Sequence, residues 1–215
     1  MPQATVSGLS PRFMHLFAGE PLAGRRLLDV GCGWGRVALA LASECGAVVG
    51  LDREPSLIAE ARERAARAGF RHAEFHVADV EAGEYTVWRP DLVTAHLCAS
   101  DAIVERAARA LPPGGFLAIV AFHVDQWRET GKVSRFAYDE ARMRTALERA
   151  GLAVEALESE REVQTFTSVE EALAAAVGLE ERWRADGRWF RYIDFLEKGG
   201  RTLTRSHLIA KARRP

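Results

Sequence analysis

Asp29, Gly31, Gly33 and Gly35 spell D-x-G-x-G-x-G within the stretch LLDVGCGWGR. Glycines at that density let a chain turn with positive φ and lay its backbone directly against a small ligand. The acid at the head of the run bears on which ligand. A Walker-type phosphate loop needs Lys and then Ser or Thr after the glycines, whereas Arg36 and Val37 follow here, so that chemistry is excluded. A nicotinamide site wants G-x-G-x-x-G; the third glycine comes one position early, and Asp29 would repel a pyrophosphate in a partly desolvated cleft. The loop suits a cationic ligand. Asp52 follows the glycines by about twenty residues, where the second strand of such a fold delivers an acid to a ribose. Groups able to handle a proton stand farther along: His96 with Cys98, and His123 with Asp125 two residues on to orient its ring.

Elements of alternating type must position these residues. RLLDV, AVVGLD, HAEFHVAD, PDLVTAHL and FLAIVAF are apolar runs of strand length. Between them lie helix patterns: RVALALASECG, PSLIAEARERAARAG with Pro55 in its first turn and Gly69 as its stop, and SDAIVERAARAL. That alternation predicts an α/β fold, a doubly wound, mostly parallel sheet with right-handed crossovers and helices on both faces. An N-terminal helix starts at Ser10-Pro11 and closes at Gly19. After a polar loop from His123, DEARMRTALERAG reads as a helix and LAVEALESEREVQTF as a long strand. Ser168 and Glu171 form a capping box opening VEEALAAAVGLEERW as one helix; RWFRYIDFLEKGG is another, and TLTRSHLIAKARR a terminal strand. The expected organisation is a single domain over 1–215, with an N-terminal helical segment (1–22) and a helical insertion (167–200) available as a substrate lid.

With these elements in place, the glycine run resembles the first motif of class I S-adenosylmethionine-dependent methyltransferases. In that family the motif's carboxylate helps bind the amino acid end of the cofactor, which falls to Asp29 beside the backbone of Gly31, Cys32, Gly33 and Gly35. Asp52, followed by Arg53, matches the acid that holds both ribose hydroxyls. ADV (residues 78–80) resembles the next motif, so Asp79 would contact the adenine amino group and the Val80 backbone a ring nitrogen. PDLVTAHL resembles the fourth-strand motif flanking the methyl group, and LPPGGFLAIV the helix, turn and strand that follow. The resemblance runs over residues 24–122 in family order, and SHLIAKARR resembles the usual last strand. It implies a seven-stranded sheet of order 3-2-1-4-5-7-6 with only the last strand antiparallel, and S-adenosyl-L-methionine as cofactor.

Methyl transfer from a sulfonium is an in-line displacement on an activated carbon, so positioning and desolvation supply much of the rate without a nucleophile. A base is needed only when the acceptor must shed a proton early. His96 and His123 are the catalytic candidates; His96 alternatively offers its backbone to the adenosine or packs beneath it. Cys98 reads as a small buried residue. His72 and His76 share one strand face with no third ligand near in sequence, so no metal site is expected.

In the insertion, Trp183, Trp189, Phe190, Tyr192 and Phe195 form either a packing face or the aromatic wall of a lid, which Trp127 and Tyr138 could complete. Arg184, Arg188 and Arg191 fall on one helical stripe, as a solvated edge or as a grip on a carboxylate or phosphate. The absence of an N-P-P-Y sequence after strand four and of a Pro-Cys pair argues against planar amino groups and cytosine C5 as acceptors. A small molecule is the first choice; docking of RNA or protein on the arginine stripe, or cofactor binding without catalysis, are the alternatives. Of 215 residues 29 are basic and 30 acidic, so composition advertises no attraction to DNA or to anionic lipid. Three cysteines without CxxC spacing and the absence of a long apolar run point to a soluble cytoplasmic protein.

Overall fold

The computed structural model describes residues 8–215. A short helix, α1 (Pro11–His15), is capped by Ser10 and precedes five parallel strands: β1 (Arg26–Val30), β2 (Ala47–Asp52), β3 (Ala73–Val77), β4 (Leu92–His96) and β5 (Phe116–His123). Helices α2 (Arg36–Leu41), α3 (Pro55–Ala68) and α4 (Asp101–Ala110) connect them, except that a turn region joins β3 to β4. Then come β6 (Ala137–Tyr138), α5 (Glu140–Arg149), β7 (Ala153–Thr165), α6 (Val169–Ala176), α7 (Glu180–Asp186), α8 (Arg188–Glu197) and β8 (Thr202–Arg213). The sheet order is β3-β2-β1-β4-β5-β8-β7, with β8 antiparallel to both neighbours. This is the expected order with one addition. The two residues of β6 pair with Phe122 and His123, beyond Val120, where β4 ends its pairing with β5.

The apolar runs are legible as strands buried on both faces, because alternate residues enter two different cores. Leu28, Val30, Val93, Ala95, Leu117, Ile119 and Ala121 pack toward α4 and α5. Leu27, Leu92, Phe116, Ala118 and Val120 pack on the other face, with α1, α2 and α3. Phe17 meets Phe116 at 6.1 Å between ring centroids, and Lys211 of β8 donates to Leu16 O and pairs with Glu20, which fixes the N-terminal segment on that second face. Glu20 also holds Arg213, so one acid binds two cations on a single strand.

The insertion has a third core of its own, built on Trp183, Tyr192, Trp189, Phe166 and Trp127. The run expected as one helix from residue 169 is broken: α6 ends at Ala176, a single tight turn covers Val177–Leu179, and α7 begins at Glu180. Gly178, the poorest helix former available short of proline, sits at the break. The capping box forms in altered shape. Ser168 Oγ accepts from Glu171 N, while the Glu171 carboxylate takes the N–H and hydroxyl of Thr167 rather than the Ser168 N–H.

Candidate active site

The carboxyl ends of β1, β2, β4 and β5 open into a crevice of about 300 Å³. In an open α/β sheet the chain diverges there to either face, leaving room for a ligand. Its walls include Gly31, Asp52, Arg53, Asp79, Val80 and Glu81 on one side, and His96, Leu97, Phe122, Phe136 and Arg182 on the other.

The glycine loop is held by hydrogen bonds that leave little for an anion. Cys32 N–H donates to Leu51 O, Gly33 N–H to Asp52 Oδ2 at 2.8 Å, and Gly35 N–H to Cys32 O. A pyrophosphate would need these groups free. Gly31 has φ +65°, and a Cβ there would stand 2.6 Å from Cys98 Sγ, so this position admits glycine alone. Gly31→Ala is expected to cost about 2–3 kcal/mol, from the left-handed conformation plus the clash, measured by chemical denaturation. The double variant with Cys98→Gly should recover the part due to the clash and leave the backbone strain.

Asp29 is not in the crevice. It lies beneath the loop, fully buried, where Oδ2 accepts Ala38 N–H at 3.1 Å and Oδ1 accepts the Thr94 hydroxyl at 2.7 Å. The reason is the cap of α2. Gly35 occupies the N-cap and has no side chain to offer, so the acid from β1 satisfies the N–H three residues on. The expectation that Asp29 reaches a ligand's amino acid end is corrected: it acts on the loop. Burial, outweighing the hydrogen bonds from Thr94 and Ala38, raises its carboxyl to about 7. Cys32 and Gly35 also lie off the walls, as does Gly33; Cys32 is buried, and burial drives its thiol well above the usual range.

Asp52 carries two N–H groups, Gly33 on Oδ2 and Glu54 on Oδ1 at 3.0 Å, which tie the ends of β1 and β2 together at the crevice wall. Next to it, Tyr85 donates its hydroxyl to Val80 O, which fixes the segment Asp79–Glu81. Asp79 Oδ1 accepts Glu81 N–H. Val80 N–H makes no hydrogen bond among the described residues, although Val80 lines the crevice. A free backbone donor beside a carboxylate is the pattern that reads the edge of a purine carrying an amino group.

His96 reaches the crevice with its Nδ1 already engaged. Arg36 donates to its Nδ1 at 3.1 Å, and since a guanidinium can only donate, the ring is neutral with its proton on Nε2. Burial, helped by the charge of Arg36 and by His207, pushes its pKa down to about 3. Phe13 of α1 packs its ring against it at 5.4 Å. His123 is not in the crevice either. Strand alternation sends Phe122 into the crevice and His123 to the opposite face, where Nε2 faces Glu140 at 3.5 Å and Nδ1 accepts Asp125 N–H. Of the two catalytic candidates the geometry brings His96 to the crevice and leaves His123 away from it. Cys98 gives its thiol proton to Val30 O, and burial raises its pKa to about 12, so it is inert.

In the insertion the packing alternative describes the aromatics. Its aromatics Trp183, Trp189 and Tyr192 are buried in their own core, and Tyr138 turns away to donate to Asp101 Oδ1. Arg184 is paired with Glu180 and Arg188 with Asp186, while Arg191 lies near Gly131. The insertion's arginine at the crevice is Arg182, and Leu97, Phe122 and Phe136 supply the apolar wall. Sequence reasoning missed all four, although Leu97 immediately follows β4 and has φ +62°, a conformation rare for a branched residue. Among the described residues no three candidate metal ligands gather, and no helix is long and apolar enough to cross a membrane.

The fold and crevice define a doubly wound α/β protein in which carboxylates, not phosphate-binding amides, line one wall of the crevice. The chain belongs to a methyltransferase family: the model of a methyltransferase domain matches residues 22–178. It is 32% identical over 127 residues to a ubiquinone biosynthesis O-methyltransferase of Xylella fastidiosa, covering 55% of this chain and 50% of that protein. It is 34% identical over 110 residues to the aklanonic acid methyltransferase DauC of Streptomyces sp. (strain C5), covering 47% and 50%. The chain thus spans about half the length of these curated relatives. Among solved structures, a Bacillus halodurans protein proposed to be a methyltransferase superposes with TM-score 0.69 at 21% identity, over 95% of this chain and 97% of that one.

Proposed function

We propose that this chain transfers a methyl group from S-adenosyl-L-methionine to a small-molecule acceptor. The observation that carries the reading is the row of groups at the ends of β2 and β3: Asp52 tied to Gly33 N–H, then Asp79 beside the unpartnered Val80 N–H. These fit a cationic nucleoside. Asp52 would accept the ribose hydroxyls with Arg53 flanking it, and Val80 N–H and Asp79 would read the adenine edge. Gly31 would give the amino acid end its close backbone approach, and Cys32, Gly33 and Gly35 hold the loop in that shape.

When bound, the cofactor supplies a carbon on a sulfonium, already activated for displacement. The residues of the chain then bind, aim and exclude water. Leu97, Phe122 and Phe136 give the acceptor side an apolar surface that disfavours solvent. His96, neutral and protonated on Nε2, offers a hydrogen bond rather than a place for a proton. The reading therefore favours acceptors that need no early deprotonation by the enzyme, or that are already ionised at neutral pH. The 167–200 insertion contributes Arg182 to this side of the crevice and would cover the acceptor. The names of two curated relatives, concerned with ubiquinone biosynthesis and aklanonic acid, support a small acceptor; the match to a 23S rRNA methyltransferase covers only 26% of this chain.

Calorimetric titration with S-adenosylhomocysteine and, separately, NADH tests the cofactor. Saturable binding of the first and none of the second is the expected result; the reverse would sink the reading. Transfer of labelled methyl from the cofactor into a low-molecular-weight fraction of an extract tests the acceptor class, and label found only in RNA or protein would overturn it.

A further inference from the structure

The crevice is charged asymmetrically. One wall presents the carboxylates of Asp52, Asp79 and Glu81, together with Arg53; the other presents Arg182, near the ring of Phe122, together with Phe136. We infer that the acceptor is a small organic anion whose carboxylate or phosphate pairs with Arg182 while its apolar body lies along Phe122 and Phe136. This rests on the methyl-transfer reading and adds the chemical class of the acceptor.

Three observations support it. First, Arg182 has no ion pair and no hydrogen bond among the described residues, whereas its neighbours Arg184 and Arg188 are neutralised by Glu180 and Asp186. Second, its guanidinium lies 5.6 Å from the ring centroid of Trp127 and 5.9 Å from that of Phe122, and Arg188 approaches the same Trp127 ring at 5.8 Å. Two guanidinium groups converging on one indole, with Asp186 paired to only one of them, leave an excess of positive charge at the crevice rim. An anion placed there relieves the repulsion and gains charge-assisted hydrogen bonds. Third, Phe122 lies beside the Arg182 guanidinium, and Phe136, whose ring carries Arg135 at 4.4 Å, shares the crevice wall, which suits a ligand with an apolar body and a charged end. The acidic wall excludes the reverse orientation, since it would repel the anion from the nucleoside side.

The test is calorimetry on the full chain saturated with S-adenosylhomocysteine, titrated with benzoate, phenyl phosphate and the neutral benzamide. At least one anion should bind, with benzamide weaker by about tenfold or more. Comparison of the two anions tells a carboxylate site from a phosphate site. Arg182→Met should bring the anion down to the benzamide level, leave S-adenosylhomocysteine affinity within about twofold of wild type, and contrast with Arg184→Met, which should change neither. Equal binding of benzoate and benzamide, unchanged anion affinity in Arg182→Met, or no anion binding to a chain that still binds S-adenosylhomocysteine would each overturn the inference. Loss of S-adenosylhomocysteine affinity in Arg182→Met would also overturn it, by assigning the guanidinium to the cofactor's own carboxylate. Failure of the wild type to bind S-adenosylhomocysteine is a separate result, and removes the methyl-transfer reading itself.

Discussion

Asp52→Ala is expected to lose between tenfold and a hundredfold in affinity for S-adenosylhomocysteine, on the order of 1 to 3 kcal/mol. The carboxylate has two structural partners and, in the proposed complex, the ribose as a third. Gly33 N–H on Oδ2 fixes the glycine loop, and Glu54 N–H on Oδ1 sets the start of α3. Alanine removes the ribose acceptor and also frees the loop, so binding must then order the loop as well. Asp52→Asn separates the two contributions, because its single carbonyl oxygen can keep one N–H while the amide opposes the other. It should fall between wild type and Asp52→Ala, with melting temperature closer to wild type. Calorimetry and thermal denaturation of the three proteins check this. Equal affinity in all three would place the ribose elsewhere.

How far the sequence reached depends on what kind of interaction fixes each feature. The sheet was legible because strands buried on both faces read as continuous apolar runs, and because helix patterns between them force parallel crossovers. The order of the last two strands came with the family resemblance rather than from periodicity. The bridge at Ala137–Tyr138 escaped because two residues carry no periodic pattern; it exists only because β4 stops short of β5. At the site, strand ends survive in one dimension, so Gly31, Asp52, Asp79 and His96 come to the crevice, while Cys32, Gly33 and Gly35 lie off its walls. Side-chain direction along β5 is not legible in that way. His123 and Phe122 are neighbours in sequence and opposite in space, and the parity of β5 relative to the crevice is visible only once β8 and β4 are in register with it. Asp29 illustrates a different limit. Its place at a strand end suits a ligand contact as well as a structural one, and the deciding fact, a glycine N-cap on α2 with no side chain of its own, needs the helix start to be known. Arg182 was hidden among several arginines of similar spacing, distinguished only by which of them find an acid.

The largest effect on stability is expected at Asp29, and it should depend on pH. Asp29→Ala strands the Ala38 N–H and the Thr94 hydroxyl in a fully buried site, a loss on the order of 2 to 4 kcal/mol. Asp29→Asn keeps both partners: its oxygen takes Ala38 N–H, and its amide donates to Thr94, whose hydroxyl can turn to accept. The protonated wild-type acid makes the same pair of bonds. Burial raises the folded-state pKa of Asp29 from 3.8 to about 7, so between those values the folded chain holds a proton that the unfolded chain has released. The stability associated with that proton is fully present below the unfolded value and is lost as pH rises through about 7. Wild type should therefore lose stability relative to Asp29→Asn between about pH 4 and pH 7, by up to about 4 kcal/mol, and the difference should level off above that. Denaturant unfolding of both proteins across this range measures it, and the other ionisable groups are common to both, so they cancel in the difference. A difference that is flat with pH would mean that Asp29 stays ionised in the folded chain, with Thr94, Ala38 and the charge of Arg36 outweighing its burial.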